Sequence, residues 1–367
     1  MNSFIVTSLL KIVAILFLVI LPMVSYAVYA ERRVSAFIQD RLGPNRVGLA
    51  GLLQPIADMF KLLLKEDFTP RNVNTFYYWL APCLAVMPAI ITIAVVPFGS
   101  TLLGVPMVIA DLNVGILFVF AIASLGVYGI VIGGWASNSK YPFLGGVRSS
   151  SQMISYELSL GLAVIPIFLL VGNLRLTSVV RYQIENGWFI APFMGDWLNP
   201  WKWLLTIPMV VSFMVFAIAI FAETNRLPFD LPEAEQELAG GYNTEYSSMK
   251  FALFFLGEYA AMITGSAVMV TLFFGGWHLP LPSWHHGFHW MLVDGSAPGW
   301  PGVIGGLFNI ATFFAKVAVL IFIFMWVRWT LPRFRYDQLM RLGWLFFFEI
   351  ALVNIFLVAA ILAYFPK

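Results

Sequence analysis

The chain has 367 residues, of which 60% are hydrophobic and only 11% are charged. A soluble domain carries roughly 25% charged residues, so this composition and a mean hydropathy of +0.85 indicate an integral membrane protein. The net charge of +2 is too small to imply a nucleic-acid partner, and the single cysteine, Cys83, excludes a disulfide framework and a thiolate metal site.

Eight apolar stretches are each long enough to cross about 30 Å of hydrocarbon as helices that rise about 1.5 Å per residue. We therefore predict an all-α integral membrane protein in which residues 1–367 form a single polytopic domain. The spans are expected near residues 4–30, 76–97, 113–135, 153–172, 204–222, 250–275, 308–331 and 343–365.

The first span has the features of a retained helix rather than those of a signal peptide. Lys11 lies inside it, and it runs directly into Glu31, Arg32 and Arg33 without a small-residue cleavage site. We therefore expect this segment to remain as the first membrane helix.

A short amphipathic helix is predicted in the loop after the first span. From Leu52 to Leu64 the apolar residues recur at helical spacing, while Gln54, Asp58, Lys61 and Lys65 form one polar stripe. A helix of this kind can lie along the membrane surface. Taken alone, it is most simply interpreted as a surface anchor.

Basic residues predict the orientation of the chain. The loops after spans one, three, five and seven carry most of the lysines and arginines, whereas the opposite loops carry only Arg175, Arg181 and Lys202. Membrane proteins concentrate basic residues on the inner side, so the odd-numbered loops are predicted to be internal and both termini external. Tryptophans are concentrated in the opposite loops, as expected of an interfacial aromatic belt.

The connection between spans five and six, from Glu223 to Glu245, is called the acidic loop. It holds six of the nineteen acidic side chains of the chain, namely Glu223, Asp230, Glu233, Glu235, Glu237 and Glu245. A simple connector would be short and polar, but this loop also carries prolines and large apolar residues, so it should pack. Concentrated acid beside a membrane suggests proton or cation handling, or a docking surface for a partner.

Ionisable residues inside the predicted spans include Glu157, Glu258, Glu349 and Lys316. A charge at the centre of a membrane helix costs at least about 2.5–3.5 kcal/mol, so such residues mark functional sites. Mutual ion pairing, or a carboxylic acid kept neutral by burial, would explain a single one of them. Because the three carboxylates enter from the side that bears the acidic loop, a hydrated proton path is the favoured interpretation.

The sequence has no motif for binding a nucleotide or a redox group. It contains no glycine-rich phosphate loop, dinucleotide fingerprint or cysteine cluster. His278, His285, His286 and His289 share one outer loop among tryptophans, where interfacial packing is favoured over a functional metal site. We therefore predict that this chain holds no metal and no redox cofactor of its own.

Three segments carry a specific resemblance to a known family. They are ERRVSAFIQDRLGPNRVGLAGLLQPIADMFKLLLKE after span one, ETNRLPFDLPEAEQELAGGYNTEYSSMKFALFFLGEY across the acidic loop, and WVRWTLPRFRYDQLMRLGW between spans seven and eight. These segments cover about a quarter of the chain and resemble subunit 1 of NADH dehydrogenase. In bacteria this is the H-subunit family of the proton-pumping NADH:quinone oxidoreductase, respiratory complex I. The eight-span layout agrees with that family over the rest of the chain.

The resemblance implies a membrane subunit that forms much of a quinone chamber and couples quinone reduction to proton translocation through buried carboxylates. Quinone would be the substrate, while NADH, FMN and iron–sulfur clusters would belong to partner subunits. The expected partners are peripheral-arm quinone-site subunits, small membrane subunits and antiporter-like subunits, besides the lipid bilayer. The length and the extra outer loops favour a bacterial plasma membrane over a mitochondrial inner membrane.

Fourteen residues receive a role through the resemblance, and none of them is expected to be catalytic by itself. The quinone chamber and its coupling would use Glu31, Arg32, Asp58, Lys61, Arg148, Glu223, Arg226, Asp230, Glu233 and Glu235. The proton path would use Tyr156, Glu157, Glu258 and Tyr259. The carboxylates would act as proton carriers and electrostatic triggers, and the arginines would be their counter-charges. Because carboxylates as dense as those of the acidic loop repel one another, some of them should be paired with Arg226 or held protonated.

Two other functions remain open from the sequence. The homologous component of a membrane-bound hydrogenase-type complex would share the proton path without holding quinone, although the intact chamber segments favour quinone. A stand-alone ion-coupled transporter would use the intramembrane charges as an ion site. Such transporters usually have spans that are interrupted by glycine or proline at matching positions in the two halves of the chain. The sequence shows no such repeat.

Overall fold

A computed structural model describes residues 2–191, 200–231, 240–279 and 299–364. Within these ranges, eight helices are long and apolar enough to cross a membrane. They are Val6–Ile38, Thr75–Val95, Gly115–Ala136, Lys140–Val171, Trp203–Glu223, Ser248–Phe273, Trp300–Thr330 and Tyr336–Tyr364, numbered here as spans one to eight. The prediction of an all-α, multi-pass membrane protein with eight spans is confirmed.

The described residues are almost entirely helical, apart from loops and one small β-hairpin. In chain order the elements are α1 (Asn2–Ala14), a π-helical turn (Ile15–Ile20), α2 (Leu21–Ile38), α3 (Gln54–Leu64), α4 (Thr75–Thr92), β1 (Thr101–Leu102), β2 (Val105–Pro106), α5 (Gly115–Ala123), α6 (Leu125–Ala136), α7 (Lys140–Val171), α8 (Leu176–Asn186), α9 (Pro200–Glu223), α10 (Ser248–Phe273), α11 (Trp300–Thr330), α12 (Tyr336–Arg341), a second π-helical turn (Leu342–Phe347) and α13 (Phe348–Tyr364). Strands β1 and β2 pair antiparallel, with Thr101 opposite Pro106.

Several helices extend beyond the hydrophobic stretches that predict them. Span four begins at Lys140 rather than near residue 153, because glycines in its polar first half allow close helix packing. A Cβ on Gly134 of span three would lie 2.4 Å from the carbonyl oxygen of Pro142 and close to Gly146. Span one likewise continues to Ile38, past three charged residues.

Span six lies at the centre of the bundle and packs closely against span two. A Cβ on Gly257 would lie 3.1 Å from the carbonyl oxygen of Ala85, and Thr264 donates a hydrogen bond to the carbonyl of Ala89 at 3.0 Å. From span three, a Cβ on Gly129 would lie 2.6 Å from the backbone nitrogen of the same Ala85. Small residues at these contacts let the helix backbones approach, as is usual in membranes.

Loops that follow odd-numbered spans meet at one end of the bundle, called the acidic-loop end, and the other loops meet at the opposite end. At the opposite end, buried and half-buried polar side chains bond to backbone groups. Lys316 donates to the carbonyls of Phe274 and Gly276 at 2.8 Å each and of His278 at 2.6 Å. Gln183 similarly donates to Thr271 and accepts from the backbone N–H of Gly275, each at 2.9 Å. Gln183 thus satisfies carbonyls at the end of α10, and both side chains fix the turn that follows it.

Candidate functional site

Glu31, near the end of span one, lies at the centre of a buried ionic cluster. Its carboxylate accepts a hydrogen bond from the hydroxyl of Tyr259 at 2.6 Å and forms an ion pair with Arg226 at 3.3 Å. Arg328, at the end of span seven, pairs with its second oxygen. These four residues are called the Glu31 cluster. A buried carboxylate with two cations and a hydroxyl donor is well compensated, which explains why span one continues through Glu31 as a helix.

Arg226 contributes both charge and geometry to the Glu31 cluster. Its guanidinium carbon lies 4.0 Å from the ring centre of Tyr259, which is a cation–π stack. Burial disfavours its charge, but Tyr259, Glu31 and Glu258 outweigh burial and raise the pKa of Arg226 above its ordinary value. Arg226 is therefore a permanent cation. Its Nε and Nη2 are buried and have no hydrogen-bond partner among the described residues.

The position of Arg226 depends on how the acidic loop leaves span five. Gln152 of span four is fully buried and donates to the carbonyls of Ala222 at 2.8 Å and Phe229 at 2.7 Å, and to the Oδ1 of Asn225 at 3.3 Å. Asn225 has a φ of 50°, a left-handed conformation that asparagine tolerates better than most residues. Gln152 thus holds both sides of the turn that presents Arg226.

The last loop of the acidic-loop end docks onto the same segment. Arg333 pairs with Asp230 at 3.0 Å, and the backbone N–H of Phe334 donates to the carbonyl of Pro228 at 3.2 Å. The ring of Phe229 lies 5.5 Å from Tyr156 and 5.6 Å from Phe334, centre to centre. This contact joins the acidic loop to the connection between spans seven and eight.

Glu258 and Glu223 line a cavity of about 100 Å³ between spans two to six, whose remaining lining is mostly apolar. Glu258 accepts a hydrogen bond from the hydroxyl of Tyr242 at 2.7 Å, and it interacts electrostatically with Arg226 and Arg328 of the Glu31 cluster. Glu223 interacts electrostatically with Glu157. A cavity of this size can hold water, given that two carboxylates and a tyrosine hydroxyl provide polar partners.

A second ionic group lies on the amphipathic helix α3, whose prediction from Leu52 to Leu64 is confirmed at Gln54–Leu64. Asp58 pairs with Arg32 at 2.7 Å and accepts from the Nε2 of Gln54 at 3.0 Å. Lys61 is exposed on the same helix. The apolar residues of α3 are also largely exposed, among them Phe60 with 54% of its surface accessible.

The structure brings several of the residues that the sequence singles out together, but the pairing among the described residues differs from expectation. Arg226 pairs with Glu31 rather than with Glu223 or Asp230 of its own loop, and Asp230 pairs with Arg333. Distant loops meet here, so neighbours in sequence do not become partners. Glu233 and Glu235 lie outside the described residues.

Other candidates lie apart from the Glu31 cluster. Arg148 lies inside the helix of span four, not in a loop, because that helix begins at Lys140. The hydroxyl of Tyr156 donates to the carbonyl of Leu339 at 2.9 Å, which ties span four to the start of span eight. Glu349 lies exposed on the outer face of span eight, away from the cavity that Glu258 lines.

Four residues at the site escaped the sequence-based assignment: Arg328, Arg333, Tyr242 and Gln152. Arg328 ends an apolar helix between two tryptophans, and a cation in that position requires a counter-charge, which is a signal that could have identified it. Gln152 is uncharged and gives no comparable signal. Of the four histidines considered for a metal, only His278 lies within the described residues, where no group of three or more potential metal ligands occurs.

Comparison with known proteins agrees with this arrangement. A model of the NADH dehydrogenase family matches residues 10–359. The chain is 47% identical over 354 residues to an H subunit (H 1) of the NADH-quinone oxidoreductase of Geobacter metallireducens, covering 95% of each chain. It is 50% identical over 355 residues to the NADH-quinone oxidoreductase H subunit of Rickettsia prowazekii, covering 97% of this chain and 93% of the relative. It is 48% identical to NADH-quinone oxidoreductase subunit 8 of Rhodothermus marinus, covering 91% of each chain. With its eight spans and these full-length similarities, the chain belongs to the NADH dehydrogenase family, together with the H subunits of NADH-quinone oxidoreductases.

Proposed function

We propose that the chain is the membrane subunit of a proton-pumping NADH:quinone oxidoreductase that forms much of the quinone chamber and couples quinone reduction to proton movement. The observation that carries this proposal is the position of Glu258. It interacts with the cations of the Glu31 cluster and also lines the cavity that contains Glu223. A change of charge at the Glu31 cluster would therefore change the electrostatic potential at Glu258, a carboxylate that is in a position to exchange protons.

The chamber itself is proposed to lie between the Glu31 cluster and helix α3. The unpartnered Nε and Nη2 of Arg226 are donors suited to a quinone carbonyl oxygen or to water beside it. The end of span one, the first loop and α3 present very exposed apolar side chains, with Phe37, Leu42, Leu49 and Leu64 each at least 85% accessible. Such surface is expected to be covered by a peripheral-arm subunit or by the isoprenoid tail of quinone.

The proton route is proposed to run from the Glu31 cluster to Glu258, through water in the cavity to Glu223, and on to Glu157. Glu258 interacts electrostatically with the arginines of the Glu31 cluster, Glu258 and Glu223 line the same cavity, and Glu223 interacts electrostatically with Glu157. Tyr242 and Tyr259 supply hydroxyls at its start. From Glu157 the protons would pass to antiporter-like subunits of the complex.

The remaining parts of the reaction are assigned to partners. NADH, FMN and iron–sulfur clusters are proposed to reside in other subunits, with quinone as the only redox molecule that meets this chain. The basic residues at the acidic-loop end favour a cytoplasmic position for that end in a bacterial plasma membrane, with both termini outside. The names of the relatives favour a quinone-reducing complex over a hydrogenase-type complex or a stand-alone transporter.

The route is tested by Glu258→Gln and Glu157→Gln, which keep the side-chain shape but cannot exchange a proton. We expect the complex to assemble while proton pumping per NADH oxidised falls and quinone reduction slows. Proton uptake and NADH oxidation in sealed vesicles measure both effects, beside a blot for assembled complex. Glu185→Gln, an exposed glutamate on α8 at the opposite end, is the matched control. Normal pumping in both test variants would remove the two carboxylates from the mechanism.

The assignment of all redox cofactors to partner subunits is tested on the purified polypeptide. We expect no NADH oxidation and no flavin, haem or iron–sulfur absorption, because no motif for these groups is present in the sequence. A stand-alone transporter would instead move ions when the chain is reconstituted alone. Ion flux into proteoliposomes that contain only this chain would contradict the proposal.

A further inference from the structure

Glu349 is a carboxylate that the proposed proton route does not use. It lies on span eight, eight residues past the exposed Arg341 and fifteen before Tyr364, so it is about 12 Å along the helix from the nearest charged residue of that span and about 22 Å from its far end. Its side chain is exposed, and no described residue forms an ion pair with it. A glutamate side chain is too short to reach the membrane surface from this depth.

Span eight is bound to the rest of the bundle by its opposite face. Asn354 is buried and donates to the carbonyl of Pro208 at 3.0 Å and to the hydroxyl of Ser212 at 2.9 Å, both on span five. Ala351 and Val358 are buried beside it. The helix is therefore held in one rotation, and Glu349 cannot turn inward without breaking these contacts.

The exposed face around Glu349 has the spacing of a helix–helix seam. Its exposed residues follow one another at intervals of three and four: Phe346, Glu349, Val353, Phe356, Ala360 and Ala363. This interval lets one helix pack along another with a small crossing angle. The two alanines at its far end allow close approach of a second backbone, as is typical of helix contacts in membranes.

From these observations we infer that this face of span eight is a docking surface for a transmembrane helix of another subunit that carries a lysine or arginine at the depth of Glu349. Charge complementarity selects this occupant, because a carboxylate inside a membrane span is disfavoured against hydrocarbon and is stabilised by a cation. Lipid offers no cation at that depth. A second copy of this chain would place one Glu349 against another, which is repulsive.

The inference rests on the proposed function only in placing the chain in a complex with other membrane subunits. Its test uses photo-crosslinking in the intact complex in native membranes, and needs no quinone reduction. A photoreactive benzoylphenylalanine replaces Val353, which leaves Glu349 in place, and the crosslinked polypeptide is identified by mass spectrometry. The matched control carries the same group at Phe322, an exposed residue of span seven.

We expect the Val353 probe to capture another subunit within one helical turn of a lysine or arginine. Adding Glu349→Gln should lower the crosslink yield about three- to tenfold, the range expected for one polar contact between membrane helices. Glu349→Lys should abolish it, and replacing the partner's basic residue with glutamate should restore it. Crosslinks only to lipid or to a second copy, or unchanged yields in both Glu349 variants, would overturn the inference.

Discussion

The two ends of the helix bundle use buried and half-buried polar side chains in different ways. At the acidic-loop end, ionisable side chains bond to one another: Glu31 to Arg226, Tyr259 and Arg328, and Asp230 to Arg333. At the opposite end they bond to backbone, as Lys316 does with three carbonyls.

The partners decide what each end can do. A backbone carbonyl cannot change its charge, so Lys316 and Gln183 serve to close helix ends and hold turns in place. Ionisable side chains that pair with one another interact electrostatically. Moving or protonating one of them therefore changes the electrostatic potential at the others. The acidic-loop end is therefore suited to respond to chemistry, and the opposite end is suited to stay fixed.

The largest effect is expected from Arg226→Ala. It leaves Glu31 with only part of its compensation in a buried site, and breaking such a pair typically costs about 3–5 kcal/mol. We expect quinone reductase activity to be lost, while reduction of an artificial acceptor by the peripheral arm persists. Both activities are measured in membranes, with a blot for assembly.

Two further variants complete this experiment: Arg226→Lys is the conservative substitution and Arg335→Ala is the control. Lysine keeps the charge but lacks the planar group that stacks on Tyr259, so we expect partial activity. Arg335 forms an ion pair whose side chains are 75% and 65% exposed, and its removal should change nothing. Wild-type quinone reductase activity in the Arg226→Ala variant would indicate that the acidic loop serves only as a tether.

Lys316→Met should affect stability rather than function. Three carbonyls in the turn after α10 lose their donor, which we expect to lower the free energy of unfolding by about 1–3 kcal/mol. Thermal melting of the solubilised complex should detect this, while activity per assembled complex stays at the wild-type level. Lys140→Met, at an exposed lysine of the acidic-loop end, is the matched control. A fall in activity per assembled complex without a change in melting would contradict the division between the two ends.

Tyr259→Phe removes one hydrogen bond from Glu31 and keeps the aromatic ring under Arg226. A hydrogen bond to a charged group contributes about 1.5–3 kcal/mol, so a measurable but incomplete loss of quinone reductase activity is expected. The same assay on Tyr182→Phe, a tyrosine of helix α8 at the opposite end, provides the comparison. Equal effects of the two substitutions would mean that the Glu31 cluster has no special dependence on its hydroxyl.

Asp58→Asn should have the smallest effect on stability. In its ion pair with Arg32, the side chain of Asp58 is 29% exposed and that of Arg32 is 49% exposed. Exposed ion pairs contribute about 1 kcal/mol or less to stability. We expect unchanged melting and a smaller loss of activity than in Tyr259→Phe. A loss of activity as complete as that of Arg226→Ala would place Asp58 in direct contact with quinone.

Much of this arrangement could be predicted from the sequence because the relevant signals are local. Hydrophobic length identifies the eight spans, and helical periodicity identifies α3 with its polar stripe. Helix ends were less predictable, as at span four, because polar residues such as Arg148 lower the hydropathy while tertiary packing continues the helix.

The sequence by itself therefore determined the membrane class, the number of spans, the family and the set of charged residues at the acidic-loop end. Only the tertiary structure decided which of them pair, since Glu31 meets Arg226 and Arg328 across 195 and 297 residues of chain. It also decided which face of each helix points inward. Glu349 and Asn354 are five residues apart, about 140° around a helix, and periodicity alone does not say which of the two is buried. That choice depends on the packing of span eight against span five, which holds Asn354 and leaves Glu349 exposed.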